Sequence, residues 1–243
     1  MNRPLRGPYR VVLCDVGETL VHYKRSFSAT ISAEAARLGA HVALSDVRRI
    51  ADEEYDRAIR DPVARGSSAD AGRSRAFWQD MYVAMGRRLG VSDPALLAQR
   101  LFDEFTTVES YDAIDGAREA LMRIRAAGLK LVAASNWEPW LLDLLDHLEL
   151  RECFDALAVS GLIGVEKPDA AFFERTLEIA GATRDETVHI GDSFYADVQG
   201  AWGAGLDAIW INWHNRPAKA CPTVTTIGEA ADAVIAASEN GAA

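Results

Sequence analysis

Four short apolar runs, each delivering a polar residue at its C-terminal end, constrain this chain more than any other feature. Residues 10–14 lead into Asp15-Val16-Gly17-Glu18-Thr19-Leu20, residues 129–134 into Ser135-Asn136, residues 187–190 into Gly191-Asp192, and residues 206–211 into Asn212. A weaker fifth run, residues 154–159, precedes Ser160-Gly161. Runs of this length and β-branched content read as strands, and their uninterrupted apolar character means that both faces are covered. Helical patterns alternate with them at 116–127, 139–150, 168–180 and 194–204. Pro139 and Pro168 are expected in first helical turns, where a missing N–H is tolerated, with Gly128 and Gly181 just past helix ends. This alternation predicts a parallel α/β sheet with helices on both faces. In such sheets ligands bind beyond the strand C-termini, which is where every polar cluster falls.

Residues 24–112 hold no comparable strand and read as helices near 27–38, 45–60, 73–89 and 94–106, with Ser92 or Asp93 capping the last before Pro94. The polar segment 61–72 (DPVARGSSADAG) reads as a loop. A helical domain at 24–112, inserted into a core formed by residues 1–23 and 113–243, suits a length of 243 residues, more than one typical domain and less than two. Phe77, Trp78 and Tyr82 share a helix stripe and are assigned to the insertion's own core. His22, Tyr23 and Arg25 follow the first polar cluster and are candidates for substrate contact. After Ala230 an alanine-rich helix is expected, ending in a frayed terminus.

Charge narrows the function classes. Acidic side chains number 36 and basic ones 26, a formal charge of -10, so the surface has no general attraction for nucleic acid or an anionic membrane. An anionic ligand must be held locally. Lysine is scarce, occurring only at Lys24, Lys130, Lys167 and Lys219, so a lysine beside a polar cluster is a pointed feature. Cys14, Cys153 and Cys221 are too scattered for a disulfide framework or a CxxC site, which fits a reducing compartment. The apolar run at 11–14 is too short for a signal-peptide core or a membrane span, so a cytoplasmic location is expected.

The clusters are Asp15 with Thr19, Ser135 with Asn136, Lys167 before Pro168, and Asp192 with Asp197. Taken singly, each fits a structural role, such as an acid or hydroxyl at a helix N-terminus. Together at one sheet edge they suit phosphoryl chemistry. Paired carboxylates hold Mg²⁺, a lysine, a hydroxyl and loop N–H groups hold phosphate oxygens, and Asp15 is placed to attack phosphorus. His189, inside the fourth strand, is assigned to the packed core rather than to a ligand set.

With these residues in view, the chain resembles the haloacid dehalogenase superfamily of aspartate-nucleophile hydrolases over nearly its whole length. The family's first motif, Asp-x-Asp-x-Thr, corresponds to Asp15-Val16-Gly17-Glu18-Thr19, and its second, a Ser or Thr after the next strand, to Ser135. The third, Gly-x-x-Lys-Pro, corresponds to Gly164-Val165-Glu166-Lys167-Pro168. The fourth corresponds to Gly191-Asp192-Ser193 followed by Asp197 and Gly200-Ala201. The resemblance implies a Rossmann-like core and, over 24–112, a helical C1 cap that closes over the site. It implies Asp15 as nucleophile, with Thr19, Ser135 and Lys167 in the catalytic set. Asp15, Asp192 and the Gly17 carbonyl would hold Mg²⁺ with support from Asp197, while Ser135, Asn136 and Lys167 would bind the transferring phosphoryl group of a small phosphorylated metabolite.

Gly17 breaks the pattern. Phosphatases of the family carry a second aspartate there, which protonates the leaving group and then activates water. Losing such help removes about 10²- to 10⁴-fold in rate, or roughly 3 to 5 kcal/mol. Glu18 is not expected to substitute, because neighbours on an extended chain point in opposite directions. Haloacid dehalogenases also lack the second aspartate, but they carry an aromatic residue in its place and a less acidic fourth motif. Phosphonoacetaldehyde hydrolases use a cap lysine, and here only Lys24 precedes Lys130. A non-catalytic phospho-ligand binder is the remaining alternative. The reading carried forward is a Mg²⁺-dependent phosphohydrolase working through an aspartyl-phosphate on Asp15.

Overall fold

The computed structural model describes residues 4–60, 67–213, 215–217 and 219–239. The chain divides into two compact units, Met1–His22 with Ala113–Ala243, and Tyr23–Asp112. Its strands are β1 (Val11–Cys14), β2 (Val21–Tyr23), β3 (Tyr111–Ala113), β4 (Lys130–Ser135), β5 (Ala156–Val159), β6 (Thr187–Gly191), β7 (Asp207–Ile211) and β8 (Thr223–Val224). Six of them form one sheet in the order β5-β4-β1-β6-β7-β8, with every pairing parallel. The five apolar runs became β1 and β4 to β7. The sequence reading missed the two-residue edge strand β8, and it missed the pair β2 and β3, which form a separate sheet where the chain passes between the units. Each is too short to show a period.

The Tyr23–Asp112 unit is built from α1 (Phe27–Arg37), α2 (Leu44–Arg60), α3 (Ala71–Leu89) and α4 (Pro94–Phe105). Side-chain caps start three of these helices: Ser26 accepts from the Ala29 N–H, Asp70 from Arg73 and Asp93 from Leu96. Asp93 is therefore the cap before Pro94, while the Ser92 hydroxyl donates to the Leu38 carbonyl. Ile31, Met81, Tyr82, Met85, Leu97 and Leu101 are buried in this unit's core. Trp78 stacks with both Tyr55 and Tyr82, so the aromatic stripe packs the unit itself. Of the expected loop at 61–72, residues 61–66 lie outside the described residues, and Ser67–Ala69 form a single 3₁₀ turn.

In the other unit α5 (Ala117–Ala126), α6 (Leu141–His147), α7 (Ser160–Ile163), α8 (Ala170–Ala180), α9 (Gly200–Gly203) and α10 (Ile227–Glu239) accompany the sheet. Residues 240–243, expected as a frayed end, lie outside the described residues. Two expectations change. Pro139 and Pro168 precede their helices instead of opening them: Trp140 is the first flanking residue of α6, and Asp169 caps α8 by accepting the Ala171 N–H. The helix expected at 194–204 splits into a π-helical turn, Phe194–Gln199, and α9. The wider turn coincides with Asp197, whose carboxylate bonds back to the Ser193 N–H rather than facing solvent.

The start of β7 is tied to the N-terminal segment. Asp207 accepts hydrogen bonds from Tyr9 Oη at 2.6 Å and from Arg6 Nε at 2.9 Å. Burial pushes the Asp207 carboxyl up, but the bonds from Arg6 and Tyr9 outweigh it and hold the group below the ordinary range. A depressed carboxyl stabilises the fold above its unfolded value, near 4, and loses that contribution as pH falls through the folded value. Asp207→Asn should lower stability at pH 7 by about 1 to 2 kcal/mol, the half-exposed Arg6 being screened by solvent. The difference in melting temperature from wild type should shrink below about pH 4. A difference that stays constant from pH 7 to pH 3 would contradict this role.

Candidate active site

The strand order locates the site. From the central β1 the chain moves to β4 and β5 on one side, then returns to β6 and β7 on the other, so a crevice opens beyond the ends of β1, β4 and β6. Cys14 is in register with Ala133 and Ile190, which brings the residue after β1, Asp15, between the end of β4 and the Gly191-Asp192 turn. The Asp15 N–H donates to the Ile190 carbonyl at 2.9 Å, fixing its backbone.

Both oxygens of the buried Asp15 carboxylate are held. Oδ1 accepts from Lys167 Nζ at 2.7 Å and from Ser135 Oγ at 3.2 Å, and Oδ2 accepts from Thr19 Oγ1 at 3.2 Å. Thr19 reaches Asp15 because residues 16–21 form a tight turn in which the N–H groups of Thr19, Leu20 and Val21 converge on the Val16 carbonyl. The extended-chain premise for Glu18 therefore fails: Glu18 sits in this turn with a left-handed φ of 55°. Partial desolvation raises its carboxyl against the opposing His22, with Asp15 adding to the rise.

Lys167 joins two clusters. Its ammonium is 3% exposed and also donates to Asp197 Oδ1 at 2.6 Å. Burial alone would lower its pKa, but Asp15 and Asp197 outweigh burial and keep it charged. Asn136 positions it: the Asn136 amide donates to the Lys167 carbonyl at 2.8 Å, and the Lys167 N–H donates to Asn136 Oδ1 at 2.7 Å. The Asn136 amide thus clamps the Lys167 backbone on both its N–H and its carbonyl.

Asp15, Asp192 and Asp197 converge, with one oxygen from each lying within 4.8 Å of the others. Burial raises the Asp15 carboxyl, opposed by Lys167 and reinforced by Asp197. Asp192 is pushed up to about 8 by burial, then by Asp15 and Asp197. Burial would raise Asp197 too, but Lys167 and His189 hold it well below the ordinary range. Such a crowd of hard oxygen donors fits a divalent cation of the Mg²⁺ type. Gly191 makes room for it: a Cβ there would lie 2.3 Å from the Asp197 carboxyl carbon. The Trp210 indole N–H holds the Asp192 carbonyl at 2.8 Å.

His189 is buried against the Phe173 ring, as its strand position implied, yet its Nε2 also meets Asp197 Oδ1 at 2.9 Å. Its Nδ1 has no hydrogen-bond partner among the described residues, which assigns the proton to Nε2 and makes the ring a donor to Asp197. Strand alternation carried the missed signal: His189 and Gly191 share a face, and Asp197 covers Gly191. Two of the three candidates after the first motif, Tyr23 and Arg25, have partners in the Tyr23–Asp112 unit. Tyr23 donates to Glu104 at 2.7 Å and packs on Phe105, Arg25 lies 3.9 Å from Glu104, and Lys24 pairs with Asp112.

Comparison with known proteins agrees with this geometry. The profile of the haloacid dehalogenase-like hydrolases matches residues 9–205. A mouse protein, haloacid dehalogenase-like hydrolase domain-containing protein 3, is 29% identical over 208 residues, covering 83% of this chain and 81% of its own. Pyrimidine 5'-nucleotidase PynA of Streptococcus pneumoniae is 34% identical over 125 residues, 51% of this chain and 52% of its own. Among solved structures, the magnesium-bound HAD-hydrolase YfnB of Bacillus subtilis superposes with a TM-score of 0.70 at 22% identity, over 94% of this chain and 99% of that one.

The clamp on Lys167 is open to direct test. Asn136→Ala removes two partly buried hydrogen bonds and should lower unfolding stability by about 1 to 3 kcal/mol in denaturant titration. An unchanged midpoint would show that the Lys167 backbone needs no clamp.

Proposed function

The chain belongs to the haloacid dehalogenase-like hydrolases, and from that premise we propose that it is a Mg²⁺-dependent phosphohydrolase acting on a small phosphorylated metabolite through Asp15. The observation that carries this reading is a buried nucleophile whose two oxygens are oriented by Ser135, Thr19 and Lys167, beside two further carboxylates. An Asp15 oxygen attacks phosphorus as the bond from phosphorus to the leaving-group oxygen breaks. Lys167 and Ser135, already on Oδ1, are placed to donate to the phosphoryl oxygens. Water then attacks phosphorus of the aspartyl-phosphate, releasing phosphate and regenerating Asp15. Asp15, Asp192 and the Gly17 carbonyl, with Asp197 behind them, would hold Mg²⁺, which supplies charge stabilisation to the phosphoryl oxygens when bound.

The acidic set favours this chemistry over carbon–halogen hydrolysis, where no cation is needed to offset clustered carboxylates. The nucleotidase likeness points the same way. In this reading the Tyr23–Asp112 unit is the cap that selects substrate. Cytoplasmic residence accompanies it: Cys14, Cys153 and Cys221 are free, buried thiols, and no described helix is long and apolar enough to cross a membrane.

Two measurements test the proposal. Asp15→Asn should abolish turnover of phosphate esters while the protein stays folded, and retention of more than about a tenth of wild-type activity would rule out the covalent route. Mg²⁺ at about 100 times its Kd should stabilise the wild type by about 2.7 kcal/mol, and Asp192→Asn should lose most of that gain. Equal thermal shifts in the two proteins would remove Asp192 from the metal site.

A further inference from the structure

Gly17 is not glycine for the sake of its backbone, since its φ is outside the left-handed region. It is glycine because of a neighbour. A Cβ built there would lie 2.9 Å from Cζ3 and 3.6 Å from Cε3 of the Trp137 ring, closer than side chains approach without a shift. The backbone that carries Trp137 is fixed. Its N–H donates to Ser160 Oγ at 2.9 Å, and its carbonyl accepts from Ser160 Oγ at 3.1 Å and from the Gly161 N–H at 3.0 Å. Gly161 is shaped to this loop as well, because a Cβ there would lie 2.8 Å from Pro139 Cδ. The ring packs edge-on against Trp140 with centroids 5.3 Å apart. An indole edge that packs on Trp140 therefore stands two residues from the nucleophile, where a side chain at position 17 would begin.

We propose that Trp137 is a specificity-determining residue that selects aryl phosphates, by excluding any acid at position 17 and presenting an apolar wall to a planar leaving group. The inference rests on the phosphohydrolase reading and names its substrate class. With no carboxylate at position 17 to protonate the departing oxygen, an alkoxide is a poor leaving group, whereas an aryloxide departs as a stabilised anion. A flat ring also gains contact with the indole that a small acyl group does not. Acyl phosphates need no proton but make no use of the wall, so the two effects separate.

The experiment uses the full chain with Mg²⁺ and the variants Gly17→Asp, Trp137→Ala, Trp137→Phe and the double Gly17→Asp/Trp137→Ala, on phenyl phosphate, acetyl phosphate and glycerol 3-phosphate. Wild type should favour phenyl over glycerol phosphate by about 10²-fold or more in kcat/KM. Trp137→Ala should raise KM for phenyl phosphate about 10-fold and leave acetyl phosphate within about twofold, while Trp137→Phe keeps most of the phenyl preference. Gly17→Asp alone should melt lower than wild type and gain nothing on glycerol phosphate. In the Trp137→Ala background the same change should cost no melting temperature and should raise glycerol phosphate turnover about 10²-fold. The proposal is overturned if Gly17→Asp alone keeps the wild-type melting temperature and gains alkyl activity, or if Trp137→Ala leaves the phenyl-to-acetyl ratio unchanged. Melting is read without turnover, so the two levels separate. A wild type inactive on all three phosphates overturns the phosphohydrolase reading and the substrate class with it, while coupled melting in that case still supports the exclusion at position 17.

Discussion

The Lys167 ammonium, buried between Asp15 and Asp197, is the interaction on which the rest of the site depends. Removing a charge from water costs several kcal/mol even after relaxation, and a single ion pair seldom offsets it. Here the ammonium meets two carboxylates at 2.7 and 2.6 Å, and the lysine backbone is held by Asn136 on both its N–H and its carbonyl. Deleting Lys167 would leave two buried anions facing each other, a far worse state than the triad. Asp15 follows β1 itself, while Lys167 and Asp197 follow β5 and β6 on opposite sides of it, so the ion triad also closes the sheet's switch point.

The same ammonium sorts the carboxylates by task. Asp197 touches Lys167 and the His189 ring and accepts the Ser193 N–H, so it stays ionised and immobile. Asp192 makes no contact with Lys167 among the described hydrogen bonds and faces the field of its two neighbours, which drives it up to about 8. One lysine faces three acids, so the cluster holds more carboxylates than cations. A divalent cation held by Asp15 and Asp192 would complete the charge balance.

Much of this was legible in the sequence, and the limit is physical. β1 and β4 to β7 were readable because a buried strand needs unbroken apolar residues, and Asp15, Ser135 and Asp192 because parallel strands deliver their ends to one edge, whereas Lys167 stood out only by the scarcity of lysine and its motif. Asn136 was readable as a polar group at that edge but not as a clamp, since nothing in its own segment reveals that it meets a backbone 31 residues away. His189 looked like core because it is core; its second role exists only through Asp197, placed by a π-helical turn that no regular period announces. The extended chain assumed for Glu18 gave way to a turn closed by the Val16 carbonyl, which no apolar period announces. Pro168 was placed inside a helix whose start Asp169 in fact controls.

Glycines in this site are negatives of side chains, and that changes how the missing acid is understood. Gly191 is hollow so that the Asp197 carboxylate can lie on it, and Gly200 so that Phe173 and Pro168 can. In both places the glycine belongs to a pair, and the partner defines what the absence is for. Gly17 follows the same rule with Trp137. Had the second aspartate merely been lost, the space beyond position 17 would be left for solvent, and restoring a carboxylate would need one substitution. Instead the edge of the Trp137 indole, carried on a backbone held by Ser160, lies there. A Cβ at position 17 would crowd that ring edge, and in the proposed reading the lack of a general acid there would match chemistry at Asp15 to leaving groups that do not require one.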